Sequence, residues 1–369
     1  VPDSIILNSR RFADAQNSSY LPVSGKLTGD IIWEQKSILD EPLPPVYLAI
    51  NGALLIIRYP SFINIRNRET GQSLWARQLQ GNFTFDLKPE GLVTLDKSGY
   101  YELLSLNQEI IKRISLPFLN NDTFLYLSHQ KGDEIYYVYQ SIPTPITYPG
   151  DKFEGPSFTF SRYNIEEQSF IWRLKRPEEI VDTLFTKDQG RFCICTANHI
   201  YLFSTTAASD KDVKTIGFEQ ILSCALDHKG NLLILGRQDK EKEISLKKFD
   251  NNYHLIWQVP LGRTVLSNQP PATLPDDTVY IVAGSRLYCI RDGNIVWTFQ
   301  LPTKPGEALF TLLKDGSVLL SSGVYLVHIS NNGEEIRKII VDDPITCRPV
   351  MDEEGRIYIG GIRGIRSLK

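Results

Sequence analysis

Short apolar runs of five or six residues alternate with tight polar turns along most of the chain, and none lengthens into a helix-period stripe. Residues 53–58, 135–140, 191–196, 231–236, 279–283, 317–321 and 356–360 are rich in Ile, Val, Leu, Tyr and Phe. That is the composition of strands buried between neighbouring sheets. Turns lead into such runs at Asn51-Gly52, Glu90-Gly91, Lys131-Gly132, Gln189-Gly190, Lys229-Gly230, Asp276-Asp277, Asp315-Gly316 and Glu354-Gly355. Pairs of this kind close β-hairpins.

A second series places Trp at the end of a turn and a short apolar strand. Gly29 to Trp33, Gly71 to Trp75 and Gly293 to Trp297 share one spacing, and Gln168 to Trp172 and Tyr253 to Trp257 repeat it without Gly. Degenerate copies put Ile111 and Arg337 at the Trp position, and a weak copy falls near Thr215. The two series interleave without a skip, eight of each. Successive hairpin turns lie 39, 41, 58, 40, 47, 39 and 39 residues apart. A period near 40 with four strands per unit describes propeller blades. The chain stops one strand short of a complete last blade, while the Trp33 strand has no companions before it. The pattern therefore predicts an all-β, eight-bladed β-propeller of four-stranded antiparallel blades, the N-terminal strand completing the last one. Residues 1–24 read as a lead segment and 25–369 as a single propeller, with an insertion in blade three at about 141–158.

Composition removes several function classes. The 369 residues carry 40 Lys plus Arg against 43 Asp plus Glu, a net charge of −3, which does not suit a polyphosphate partner. No apolar stretch is long enough to span a bilayer. The 17 Tyr, 17 Phe, 25 Gly and 21 Pro fit short strands and turns. The sequence begins at Val1 and its single Met is Met351, so removal of an upstream segment such as a signal peptide is expected. Cys193, Cys195, Cys224, Cys289 and Cys347 are expected to be buried thiols, with a Cys195–Cys224 disulfide left open.

Residues 11–20 (Arg-Phe-Ala-Asp-Ala-Gln-Asn-Ser-Ser-Tyr), Gly25 to Trp33 and Thr70 to Trp75 resemble the pyrroloquinoline-quinone-type (PQQ-like) propeller repeat family. In that family each blade ends in a Gly-x-x-x-Trp turn and strand whose Trp docks against the adjoining blade. The resemblance implies docking roles for Trp33, Trp75, Trp172, Trp257 and Trp297. Its quinoprotein dehydrogenases hold quinone and Ca²⁺ and commonly have a vicinal Cys-Cys pair. Here no two Cys are adjacent and no dense oxygen-ligand loop occurs, so neither PQQ nor calcium is expected. Length and blade count are closer to non-catalytic envelope scaffolds, similar to the propeller lipoprotein of the outer-membrane β-barrel assembly machinery. The resemblance thus implies an extracytoplasmic, monomeric, protein-binding scaffold.

Catalytic motifs are missing from the sequence, and the five His residues fall in different blades and at both blade ends, so no metal cluster is expected. The loops joining successive blades carry Glu41, Asp122, Arg176, Glu178, Glu179, Asp182, Arg263, Glu307, Asp342, Asp343 and Arg348. Mixed signs suit a protein or neutral glycan. Arg176, Arg263 and Arg348 are taken as binding candidates, together with Tyr148, Phe153 and Phe158 of the Pro-rich insertion, whose aromatics offer contact area. The competing readings are a divergent quinoprotein, a funnel-sited glycan lyase or hydrolase, and a glycan-binding module.

Overall fold

The computed structural model describes residues 20–36, 44–79, 84–88, 91–95, 99–105, 109–117, 122–141, 157–176, 178, 180–185, 190–204, 214–237, 243–263, 269–303 and 308–369. These form eight antiparallel sheets of four strands, the blades of an eight-bladed β-propeller, with no helix among them. By contact density the chain divides into two compact units. One, within 79–221, holds blades two, three and four; the other, within 20–78 and 222–369, holds blades five to eight and blade one.

Blade eight shows why the two chain ends must meet. Val350–Met351, Ile357–Gly361 and Gly364–Leu368 supply only three strands, and Ile31–Lys36 pairs antiparallel with the last, Ile31 opposite Leu368 and Lys36 opposite Gly364. The predicted closure by the N-terminal strand is what the structure shows. The middle strands of the blades are buried while the fourth strands are more exposed, alternating in Ile31–Lys36 and Leu255–Gly262 and exposed along most of Glu335–Ile340. The core therefore lies between blades: one cluster joins Leu287 and Cys289 of blade six to Phe310 and Leu320 of blade seven, and another joins Leu55 and Ile57 of blade one to Tyr358 and Ile365 of blade eight.

The Trp series explains how adjacent blades lock. Trp33 of blade eight lies over the third-to-fourth turn of blade one, its Nε1 donating to Arg68 O at 3.1 Å, and a Cβ on Gly71 would sit 2.6 Å from its ring. Trp297 of blade six repeats this on blade seven, donating to Asn331 O at 2.8 Å and packing on Gly333, and Trp257 of blade five packs on Gly293 of blade six. Trp172 instead stacks on Phe192 of blade four, ring centroids 5.4 Å apart. Trp75 is buried. At the degenerate blade-seven position, Arg337 replaces the indole and donates through Nη2 to Thr28 O at 3.2 Å.

Plain fourth strands are what the pattern predicts, but in seven blades the pairing slips by one residue, immediately before the Trp position in six of them and, in blade two, at Ile111, which was expected at that position and whose place Lys112 takes. The extra residues are Ile32, Leu74, Ile111, Ile171, Ile256, Val296 and Ile336, and each is exposed. A bulge absorbs one residue of the alternation, so the next side chain turns toward the neighbouring blade while the outer edge is spoiled as a pairing template. Blade four, whose fourth strand Lys214–Gly217 lacks a Trp, has no such slip there.

The first-strand edge of blade seven is closed by two different devices. The buried Gln269 carboxamide stands in for a strand, accepting from Phe310 N and donating to Phe310 O, both at 2.6 Å. Next to it, Tyr20–Leu21 adds a short parallel strand opposite Leu312 and Leu313. Part of the predicted lead segment thus belongs to a propeller sheet. All five Cys are buried, and the structure holds no Cys195–Cys224 disulfide, the bridge left open above.

Candidate functional site

Each blade has one end formed by its second-to-third-strand turn and the loops that cross to neighbouring blades. Those sequence-predicted polar residues that the structure describes belong to that end. Glu41, Glu179, Glu307, Tyr148 and Phe153 lie outside the described residues, as do the side chains of Asp122, Arg176 and Asp182. Arg263 is exposed just after the last strand of blade five. Two expectations of exposure need correction. Phe158, taken as a contact aromatic, is buried at the start of the strand Ser157–Asn164 in a cluster with Phe160, Leu174 and Phe185, because it faces the space between blades. Arg348 is 5% exposed, drawn in beside Cys347 by the tight entry into blade eight.

In blade four this end gathers a polar cluster around Glu178. The turn after Arg191–Thr196 returns through His199–Ser204, so Thr196, His199 and Tyr201 all face the crossing segment that carries Glu178. Thr196 Oγ1 donates to Glu178 at 2.8 Å, Tyr201 OH at 3.2 Å, and His199 Nδ1 lies 3.0 Å from the other carboxylate oxygen. His199 N in turn donates to Thr196 Oγ1 at 3.0 Å. Partial burial pushes the Glu178 carboxyl up, but the bonds from Thr196, His199 and Tyr201 outweigh it and hold it below the ordinary carboxylate range. The arrangement fixes the imidazole in one orientation, with Nδ1 toward the carboxylate.

A carboxyl with a lowered folded-state pKa contributes stability above its unfolded pKa and loses it as pH falls through the folded value. The Glu178 contribution is therefore expected to be complete at neutral pH and to be lost progressively as pH falls below about 4. Thermal midpoints of the wild type and Glu178→Gln, compared between pH 7 and pH 3, should differ most at pH 7 and draw closer toward the acid end; a constant gap contradicts this role.

A second cluster occupies the same kind of end where blade seven passes to blade eight. Arg366, on Gly364–Leu368, is almost buried between Glu34, bonded at 2.7 and 2.9 Å, and Asp342. The Arg366 bond holds the exposed Asp342 carboxyl below its ordinary range. Asp343 is 5% exposed and its Oδ2 accepts from Arg363 N at 2.8 Å. That approach needs glycine opposite, since a Cβ on Gly361 would lie 2.2 Å from Oδ2. Asp343, Ile345, Ile359, Gly361, Gly364 and Arg366 line a small cleft here. Beside it stand the exposed Arg363 and two aliphatics, Ile340 and Ile362, at 70% and 50% exposure.

Sequence reasoning placed Glu178, Asp342 and Asp343 at this end but missed the groups that organise them. Arg366 sits in a buried strand, Gly-Ile-Arg-Ser-Leu, where a charged residue needs a partner. That was the available signal. Among the described residues, no group of three or more His, Cys, Asp or Glu side chains is placed to hold a metal ion. Nor is any described helix long and apolar enough to cross a membrane.

No family model and no curated protein matches the chain. Solved structures do. The computationally designed protein Ika8 matches at a TM-score of 0.66 and 11% identity, over 92% of this chain and 99% of that one. BamB from Moraxella catarrhalis matches at 0.58 and 13%, over 92% and 96%. Hsv2 from Kluyveromyces lactis matches at 0.51 and 12%, over 81% and 99%. The likeness is one of fold. At such identities each match says how the strands are arranged and leaves function to the site.

Proposed function

We propose that this propeller is a non-catalytic protein-binding scaffold, a PQQ-like repeat protein that works outside the cytoplasm, as a monomer and without a bound cofactor. The observation that carries the reading is the blade seven to blade eight corner. There Ile340 and Ile362 expose aliphatic surface beside the Glu34–Arg366–Asp342 relay and Arg363. Apolar anchors bordered by charges already held in place are what a protein interface uses, because the charges set register without costly reorganisation. Structural likeness to BamB supports the reading at the level of fold.

The test uses the intact protein as bait in an extract of its native envelope. A partner captured by the wild type should be lost by Ile340→Asp with Ile362→Asp, while the thermal midpoint of the bait stays unchanged. Capture by the double variant at wild-type level contradicts the assignment of this corner. One observation favours a second reading, a glycan lyase or hydrolase: Glu178 orients the part-exposed ring of His199 as it would orient a general base. Glycan turnover abolished by His199→Ala would decide for it.

A further inference from the structure

The strand Tyr20–Leu21 is not needed to complete any blade. Blade seven has its four antiparallel strands, each pairing spanning five registered residues, and the added parallel strand contributes two. A third link follows as Lys314 N donates to Val23 O at 2.8 Å. From Leu21 to Leu27 the odd-numbered residues turn inward and the even ones, Pro22, Ser24 and Lys26, are exposed. Leu21, Val23 and Leu27 join a cluster with Leu313, Leu319, Met351 and Ile357.

The edge beneath is a short groove with defined limits. Its floor is apolar, its backbone groups at Leu312, Leu313 and Lys314 take a parallel strand, and the Gln269 amide on Phe310 stops it at one end. At the other end the lead segment is held independently: Thr28 N and Gly29 N donate to Lys369 O, both at 2.6 Å, and Lys369 N donates to Asp30 O. Leaving the groove would thus free only the residues before about Gly25 without opening blade eight. An open edge is a pairing template, and here the chain covers it with its own segment.

We propose that this groove is a strand-addition site for an extended partner segment. The chain's own Tyr20–Val23 fills it in the resting molecule, and a partner segment with aliphatic residues at alternate positions, separated by polar residues or proline, takes its place. The chemistry of the occupant is read from the segment seated there: backbone bonds give affinity, and the alternating side chains give register. The proposal stands apart from the Ile340 and Ile362 corner and can fail or succeed without it.

The probe is a labelled peptide of residues 17–24, Asn-Ser-Ser-Tyr-Leu-Pro-Val-Ser, titrated against three proteins: the full chain, a form lacking residues 1–23, and the full-length double variant Leu21→Lys with Val23→Lys. The double variant keeps the test open if truncation impairs folding. Both altered proteins should bind the peptide saturably, and the full chain at least about tenfold more weakly, because its groove is occupied most of the time. Binding should slow hydrogen exchange at Leu312 to Lys314, and a peptide carrying Lys at the positions of Leu21 and Val23 should not bind. Two results overturn the proposal: no saturable binding to either altered protein while its thermal midpoint shows it folded, or equal binding to all three without protection at Leu312 to Lys314.

Discussion

Asp227→Ala should lower the stability of the protein by about 3–5 kcal/mol, with the unfolding midpoint in urea as the readout. Asp227 is fully buried at the first hairpin turn of blade five. It accepts from Lys229 N, from Asn231 N and from Asn231 Nδ2, each at 2.8 Å. The almost fully buried Lys248 ammonium lies 2.8 Å away. Removing the carboxylate frees two turn amides and leaves that buried cation with Asp277, 3.7 Å off, as its nearest other carboxylate. The loss therefore follows from an uncompensated charge more than from a missing bond. Asp227→Leu combined with Lys248→Met removes both charges and should recover much of the loss. A double variant as unstable as Asp227→Ala would place the cost in the turn instead.

The second large effect concerns Gly71. Its φ is +70°, and an added Cβ would lie 2.6 Å from the Trp33 ring. Gly71→Ala should thus combine left-handed backbone strain with a displaced indole, about 2–5 kcal/mol in all. Gly52 has φ +55° but nothing within 4 Å of an added Cβ, so Gly52→Ala isolates the backbone part, about 1–2 kcal/mol. Trp33 emission should shift to the red in the first variant only. Equal losses in the two would mean that the indole does not depend on close approach to Gly71.

These glycines also show why the fold could be read from sequence. A blade is short and each of its turns demands special residues, so Gly and Trp recur in step with the structure. The weakest copy, near Thr215, matches the fourth strand without a Trp, Lys214–Gly217. The bulges escaped notice although their signal was present: in Ile31-Ile32-Trp33 and Ile295-Val296-Trp297, adjacent apolar residues cannot all follow a two-residue alternation. The strand Tyr20–Leu21 was hidden differently. Leu21, Val23 and Leu27 alternate correctly, but Pro22 and Gly25 interrupt the pattern of an ordinary strand.

The candidate sites were legible only in part, because their geometry lies between segments far apart in sequence. Glu34 and Arg366 are brought together solely by closure of blade eight. Glu178 and His199 belong to one blade and to the same end of it, the one that holds its second-to-third-strand turn and its crossing loops, so their pairing was legible in the strand order. Exposure was the hardest property to anticipate: Phe158 was expected at a contact surface and lies in the core, since residues flanking an insertion still obey the facing of their strand.

Repeats of about 40 residues make eight blades, and Ile31–Lys36 closes the last of them. Backbone hydrogen exchange followed over hours on the intact protein tests this closure most directly. Amides of Ile31–Lys36 that pair with Gly364–Leu368 are expected to be slow, together with those of their partner strand. Free exchange throughout Ile31–Lys36 within seconds, with Val318–Ser322 of blade seven still protected, would contradict it.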